Sequence, residues 1–193
     1  MRRLSVLTLA AIAAVTLAGE SFAGTVDYTF SFNSGTGVTP TVQAGGTLEL
    51  MLNSGSTDQY TVTGATNVTI SGTAIGSTSE SLTLVTNPNA PSSYTDPTSG
   101  ITFDNQIVLA NGSKLLNDNG LLFSGPNSLY VNFYTPTGNS ADFSLIANGS
   151  RTNISGVFAL SVPEPSSFIL AATALVPAIA TAARRRRRAR AAH

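Results

Sequence analysis

The sequence predicts an all-β domain, an antiparallel β-sandwich or jelly-roll-like body, flanked by an N-terminal signal-peptide helix and a C-terminal transmembrane helix. Three observations predict it. From Thr25 to Phe32 polar and apolar residues alternate without a break, the period of a half-buried strand. Weaker alternation recurs in roughly ten short segments spaced about 8–14 residues apart, with turn signals between them and no 3.6-residue stripe. The two ends differ in kind, each setting an uncharged apolar run beside arginines. Three regions follow: residues 1–23 as a signal peptide, 24–161 as an extracytoplasmic β domain, and 162–193 as an apolar segment closed by a basic tail.

Taken in order, the first element is Met1-Arg2-Arg3, then an apolar run from Leu4 to Ala18, then Gly-Glu-Ser-Phe-Ala. That is the charged, apolar and small-residue layout of a secretory leader, with cleavage expected between Ala23 and Gly24. Its partners would be the secretion translocon and a signal peptidase.

The strands come next. After the Thr25–Phe32 alternation, apolar residues recur at Leu48, Leu50 and Leu52, at Tyr60 and Val62, at Val68 and Ile70, and at Leu82 and Leu84. Further along stand Ile101 and Phe103, Ile107 and Leu109, and Leu121 to Phe123. Leu129, Val131 and Phe133 follow, then Phe143 and Leu145, and Val157 to Val162. Asn111-Gly112, Asn119-Gly120 and Asn148-Gly149 suit the positive φ angles of tight turns. Asn87 to Pro97, with three prolines, reads as the long loop. Thr and Val abound, and both stiffen χ1 and pack well on a pleated surface. A region of about 138 residues buries roughly two thirds of its unfolded surface, enough for a core of its own.

The last element opens with Val162-Pro163-Glu164-Pro165-Ser166-Ser167, where prolines interrupt any regular structure. Phe168 to Ala183 is uncharged and mostly apolar, with Pro177 inside it to kink a helix. As a helix it is about 24 Å long, against about 30 Å for a hydrocarbon core. Arg184, Arg185, Arg186, Arg187, Arg188 and Arg190 close the run in the basic tail 184–193. By the positive-inside rule these arginines sit in the cytoplasm and the β domain lies outside. This order of Pro-Glu-Pro, short apolar segment and arginine cluster resembles the PEP-CTERM sorting signal. The resemblance covers residues 162–190 and implies recognition in the cytoplasmic membrane by an exosortase. It further implies cutting at the motif, and a host that makes exopolysaccharide.

Composition narrows the chemistry. The chain has no cysteine, and its single histidine is His193. Disulfides, thiol catalysis and cysteine-ligated zinc are excluded, and a hydrolytic triad lacks its usual base. Between Gly24 and Ser161 stand two cations, Lys114 and Arg151, against eight carboxylates, a net charge of −6. So acidic a region offers no footprint for nucleic acid. The two glutamates of that region, Glu49 and Glu80, are the pair a glycosidase reading would need, and solvent-facing strand positions are the simpler assignment. Asn117-Asp118-Asn119-Gly120 resembles part of a calcium loop but lacks its full spacing, and reads first as a polar turn; Asp96 and Asp104 join it only if the chain folds back. The sequons at Asn67, Asn111, Asn148 and Asn153 are what so Asn- and Thr-rich a chain produces by chance. Of the tyrosines Tyr28, Tyr60, Tyr94, Tyr130 and Tyr134, the last two share one strand face with Asn132 between them, a candidate sugar-stacking surface.

The expectation is therefore an exported structural or adhesive protein of the cell surface or polysaccharide matrix. It is not an enzyme and carries no metal or cofactor. It meets the cytoplasmic membrane transiently, and extracellular polysaccharide is a candidate partner. The alternative is a secreted carbohydrate-binding module.

Overall fold

The computed structural model describes residues 25–76, 78–110 and 114–161. The described chain forms strands β1 (Val26–Ser34), β2 (Gln43–Leu52), β3 (Gln59–Ser71), β4 (Glu80–Ser81), β5 (Thr83–Leu84) and β6 (Tyr94–Thr95). It continues through β7 (Thr102–Phe103), β8 (Gln106–Val108), β9 (Leu121–Ser124), β10 (Tyr130–Tyr134), β11 (Asp142–Ala147) and β12 (Arg151–Ser161). The all-β antiparallel class is as the alternation predicts. The flanking helices, the Ala23/Gly24 cleavage site, the sorting motif and the arginine tail lie outside the described residues. Among the described residues no helix is long and apolar enough to cross a membrane.

The strands form a near-barrel in place of two separate stacked sheets. Ten strands join one antiparallel sheet in the order β4-β3-β2-β1-β12-β11-β10-β9-β5, with β8 also beside β3; β6 and β7 make a separate hairpin. The path runs up and down, and the first and last strands are neighbours, with Thr29 opposite Ser161. Closure comes from one extended segment, residues 80–85. Its first half pairs with β3 (Ser81 opposite Thr69) and its second with β9 (Leu84 opposite Phe123). Leu82 N donates to Val68 O at 2.9 Å and Val85 N to Leu122 O at 2.9 Å. The two edges of the sheet are thus tied to one stave, giving a near-barrel with little exposed edge.

A second tie sits lower on the same seam. β8 pairs with the start of β3, and Asn105 just before it reaches three segments at once. Its backbone N donates to Gly120 O at 3.0 Å and its carbonyl accepts from Val62 N at 2.8 Å. Its side-chain Nδ2 donates to Val85 O at 2.8 Å, and its Oδ1 accepts from Leu122 N at 3.2 Å. The amide acts as a spare peptide group where the strands run out.

On most strands the inward face is the one the alternation selects. β11 is the exception: Ser144 and Ile146 are buried in the barrel, while Phe143 and Leu145 face the outer side, half-buried against Tyr134 and the covering hairpin. Phe30, Phe32, Leu48, Leu50, Ile70, Phe123, Val131 and Phe133 are all buried inside the barrel. Each such side chain contributes roughly 1.5–3 kcal/mol relative to exposure. Five phenylalanines form the centre. Phe30 stacks on Phe158 at 5.5 Å and on Phe123 at 6.0 Å, while Phe133 tilts against Phe32 at 5.1 Å. Gly156 in β12 makes room for them, since a Cβ there would collide with the Phe32 ring and the Asn33 carbonyl.

Outside the barrel, the β6–β7 hairpin covers β9, β10 and β11. Ile101, Phe103 and Leu122 form a second buried cluster, joined by Tyr94, Tyr130 and Leu145. Leu121, Leu122 and Phe123 are therefore buried on both faces, which is why that strand reads as a continuous apolar run.

Strand direction sorts the loops. β1 begins and β12 finishes at the same end of the barrel, the exit end, together with the β2–β3 turn and the β10–β11 loop. The β1–β2, β9–β10 and β11–β12 turns lie at the far end.

Candidate functional site

Of the residues a calcium loop would need, Asp104 meets the 117–120 turn and Asp96 does not, and the turn behaves as the polar turn its sequence suggests. Asp104 is buried, and its carboxylate does meet the 117–120 turn. What faces it, however, are donors: Asn117 Nδ2 at 2.6 Å and Asn119 Nδ2 at 3.3 Å on Oδ2, and Gln106 N at 3.0 Å on Oδ1. Asn117 cannot turn its oxygen toward a cation, because Oδ1 already accepts Asn119 N at 3.0 Å and Gly120 N at 2.9 Å. Gly120 takes φ +69°, and a Cβ there would strike the Phe133 carbonyl. Asp96 does not join; it closes its own turn by accepting Ser99 N at 2.6 Å. Asp118 meets the Thr137 hydroxyl instead. Among the described residues no group of three or more His, Cys, Asp or Glu side chains could hold a metal. The turn is a structural cap on the barrel seam.

Burial raises the Asp104 pKa above the ordinary carboxylate value, the amide hydrogen bonds opposing it only in part. The native state therefore holds this proton more tightly than the unfolded chain, and the Asp104 contribution to stability falls as pH rises through its folded pKa. Relative to an Asp104→Asn variant, the wild type is expected to lose stability as pH rises above the ordinary aspartate value of 3.8 and through the raised folded pKa, read from urea midpoints. A difference constant with pH would remove Asp104 as the titrating group.

The glutamates are not paired. Glu49 lies opposite Gly64, and Glu80 opposite Ile70, six residues further along β3. At about 3.3 Å per residue they are roughly 20 Å apart, too far for the roughly 5–9.5 Å that glycoside cleavage requires.

The tyrosines are dispersed. Tyr28 and Tyr60 pack against the main core toward the exit end, where burial and the nearby Tyr60 hydroxyl push the Tyr28 pKa up. Tyr94 sets its edge on Phe103 at 5.9 Å. Tyr130 and Tyr134 do share the outer face of β10 with Asn132 between them, as the alternation predicts, but they do not make one platform. Tyr134 leans on Phe143 at 6.1 Å with its hydroxyl 3.4 Å from Asn153 Oδ1. Asn132 is buried, donating to Asn119 O at 2.8 Å. Tyr130 alone reaches an open site.

That site is a cleft of about 320 Å³ at the far end of the barrel, lined by Tyr130, Arg151, Thr98, Ser99, Ser128 and Ser150. Three turns wall it: β6–β7, β9–β10 and β11–β12. Backbone bonds hold each one, Gly100 N to Asp96 O at 2.8 Å, Gly125 N to Leu129 O at 2.8 Å and Asn148 N to Ser150 O at 3.2 Å. Arg151 Nη2 crosses to the opposite wall, 3.2 Å from Gly100 O and 3.5 Å from Ser99 O. Sequence reasoning missed this arginine. Its rarity, one of two cations between Gly24 and Ser161, was the available signal. Comparison with family models, with curated proteins and with solved structures finds no match to this chain.

Proposed function

We propose that the protein is an exported structural or adhesive component of the cell surface or extracellular matrix, sorted by a PEP-CTERM-like tail. In this reading the sandwich-like barrel is preceded and followed in the chain by a helical segment. The leader of residues 1–23 is removed at Ala23/Gly24 by signal peptidase after the translocon. The tail then holds the chain in the cytoplasmic membrane until an exosortase acts at Val162-Pro163-Glu164-Pro165. The observation that carries the proposal is the order of that triplet, the apolar 168–183 segment and the arginines 184–188 and 190.

The barrel is compatible with it. Because β1 and β12 are neighbours and Thr29 stands opposite Ser161, both ends of the domain leave from one side. A leader and a tail attached there reach the same bilayer without wrapping the domain. Expression in an exosortase-bearing host, with and without residues 163–165, tests the sorting step. The intact chain is expected to yield a shortened, surface or released product, and the deletion a larger product retained in the membrane. Products of equal size and location would remove the sorting assignment.

A further inference from the structure

We propose that the far-end cleft binds an uncharged saccharide, with Tyr130 as the stacking surface and Arg151 as the hydrogen-bonding clamp. A sugar ring offers an apolar face and a rim of hydroxyls, so its site needs one aromatic plane and several short polar groups converging on it. The residues that line this cleft include that set: one tyrosine, one arginine and four residues that carry hydroxyls, of which Ser99 already accepts Ile101 N.

The parts are already positioned. Ile101, Phe103 and Leu122 sit in the cluster that Tyr130 packs against, so the ring is fixed before a ligand arrives. Arg151 is anchored through Nη2 on the Ser99 and Gly100 carbonyls. A guanidinium carries five N–H donors, so donors remain to meet vicinal hydroxyls. Little rotamer freedom is lost on binding, which is where weak sites usually lose affinity.

Charge selects the ligand class. The domain carries −6 overall, and the Asp96 carboxylate caps the same turn that Arg151 touches. One arginine beside that carboxylate does not offset the field a polyanion would meet, even with screening over about 8 Å at physiological salt. Volume selects the length. A site of about 320 Å³ is at the small end of ligand pockets and suits a short stretch of sugar rather than a long one. The cleft also opens away from the end where Thr25 and Ser161 leave the barrel, so a chain held at that end keeps it accessible.

The test uses the full chain purified in a zwitterionic, sugar-free detergent. Isothermal titration is run with the hexasaccharides of maltose, cellulose, laminarin and mannan type, and with polygalacturonate as the acidic probe. At least one neutral hexasaccharide is expected to bind saturably and more tightly than polygalacturonate. Affinity is expected to fall at least about tenfold in Arg151→Gln, as for a central arginine contact. Ser150→Phe, which fills the cleft from an exposed turn, is expected to abolish binding while leaving the thermal midpoint within a few degrees. Tyr130→Ala is also expected to abolish it, but that residue packs on the outer cluster, so the Ser150 variant carries the steric test. Silence toward all four neutral probes overturns the proposal. So does binding indifferent to both Arg151→Gln and Ser150→Phe, or a preference for polygalacturonate.

Discussion

Replacing Asn105 with alanine is expected to destabilise the barrel by about 2–5 kcal/mol, a large part of a typical total of about 5–15 kcal/mol. Asn105 is 1 % exposed and its φ is +55°. Alanine removes the amide that serves Val85 O and Leu122 N, and a buried group left without its partner costs roughly 1–3 kcal/mol. Alanine also holds a left-handed backbone at a cost of about 1–2 kcal/mol that asparagine partly escapes by local hydrogen bonding. Asn105→Gly separates the two effects. It relieves the backbone and still lacks the amide, so it is expected to be about 1 kcal/mol more stable than the alanine variant and well below the wild type. Urea denaturation with linear extrapolation reads all three. An alanine variant within about 0.5 kcal/mol of wild type would mean that the seam does not depend on this amide.

Phe133→Ala is expected to cost about 3–5 kcal/mol, the range for emptying an aromatic site that cannot collapse. The ring is fully buried and has four aromatic neighbours, Phe32 at 5.1 Å, Phe123 at 5.8 Å, and Phe30 and Phe158 at 6.0 Å. These come from β1, β9 and β12, on both arms of the sheet, so no single strand can shift inward to fill the space. Phe133→Leu keeps most of the volume and is expected to recover more than half of the loss. Near-UV circular dichroism should weaken with the alanine change while far-UV intensity holds. A loss under about 1 kcal/mol would place the centre of the core elsewhere.

How much of this was legible depended on how each residue meets solvent. β1 was plain because one face enters the core and the other stays wet, so the alternation is complete from Thr25 to Phe32. The 13-residue β3 looked like two strands, Tyr60–Val62 and Val68–Ile70, because register shifts opposite β2 interrupt its alternation. The segment 80–85 showed only Leu82 and Leu84, and nothing local announces that each half pairs with a different edge. The candidate site was partly readable. Tyr130 stood on a predictable face, but Ser99 and Arg151 are 52 residues apart, and only the covering hairpin brings them together.

The antiparallel β class, the inward phenylalanines of β1 and β10, and the charge contrast between the ends and the acidic middle are written in the sequence alone. Each of these is local, written in neighbouring residues through side-chain period and charge. Closure of the sheet on itself, the donors that Asn117 and Asn119 turn on Asp104, and the cleft that Arg151 shares with Tyr130 arise only in the folded chain. Those outcomes depend on which distant segments meet. Loop-closure entropy and the competition for buried hydrogen-bond partners govern that choice, and neither leaves a mark on adjacent residues.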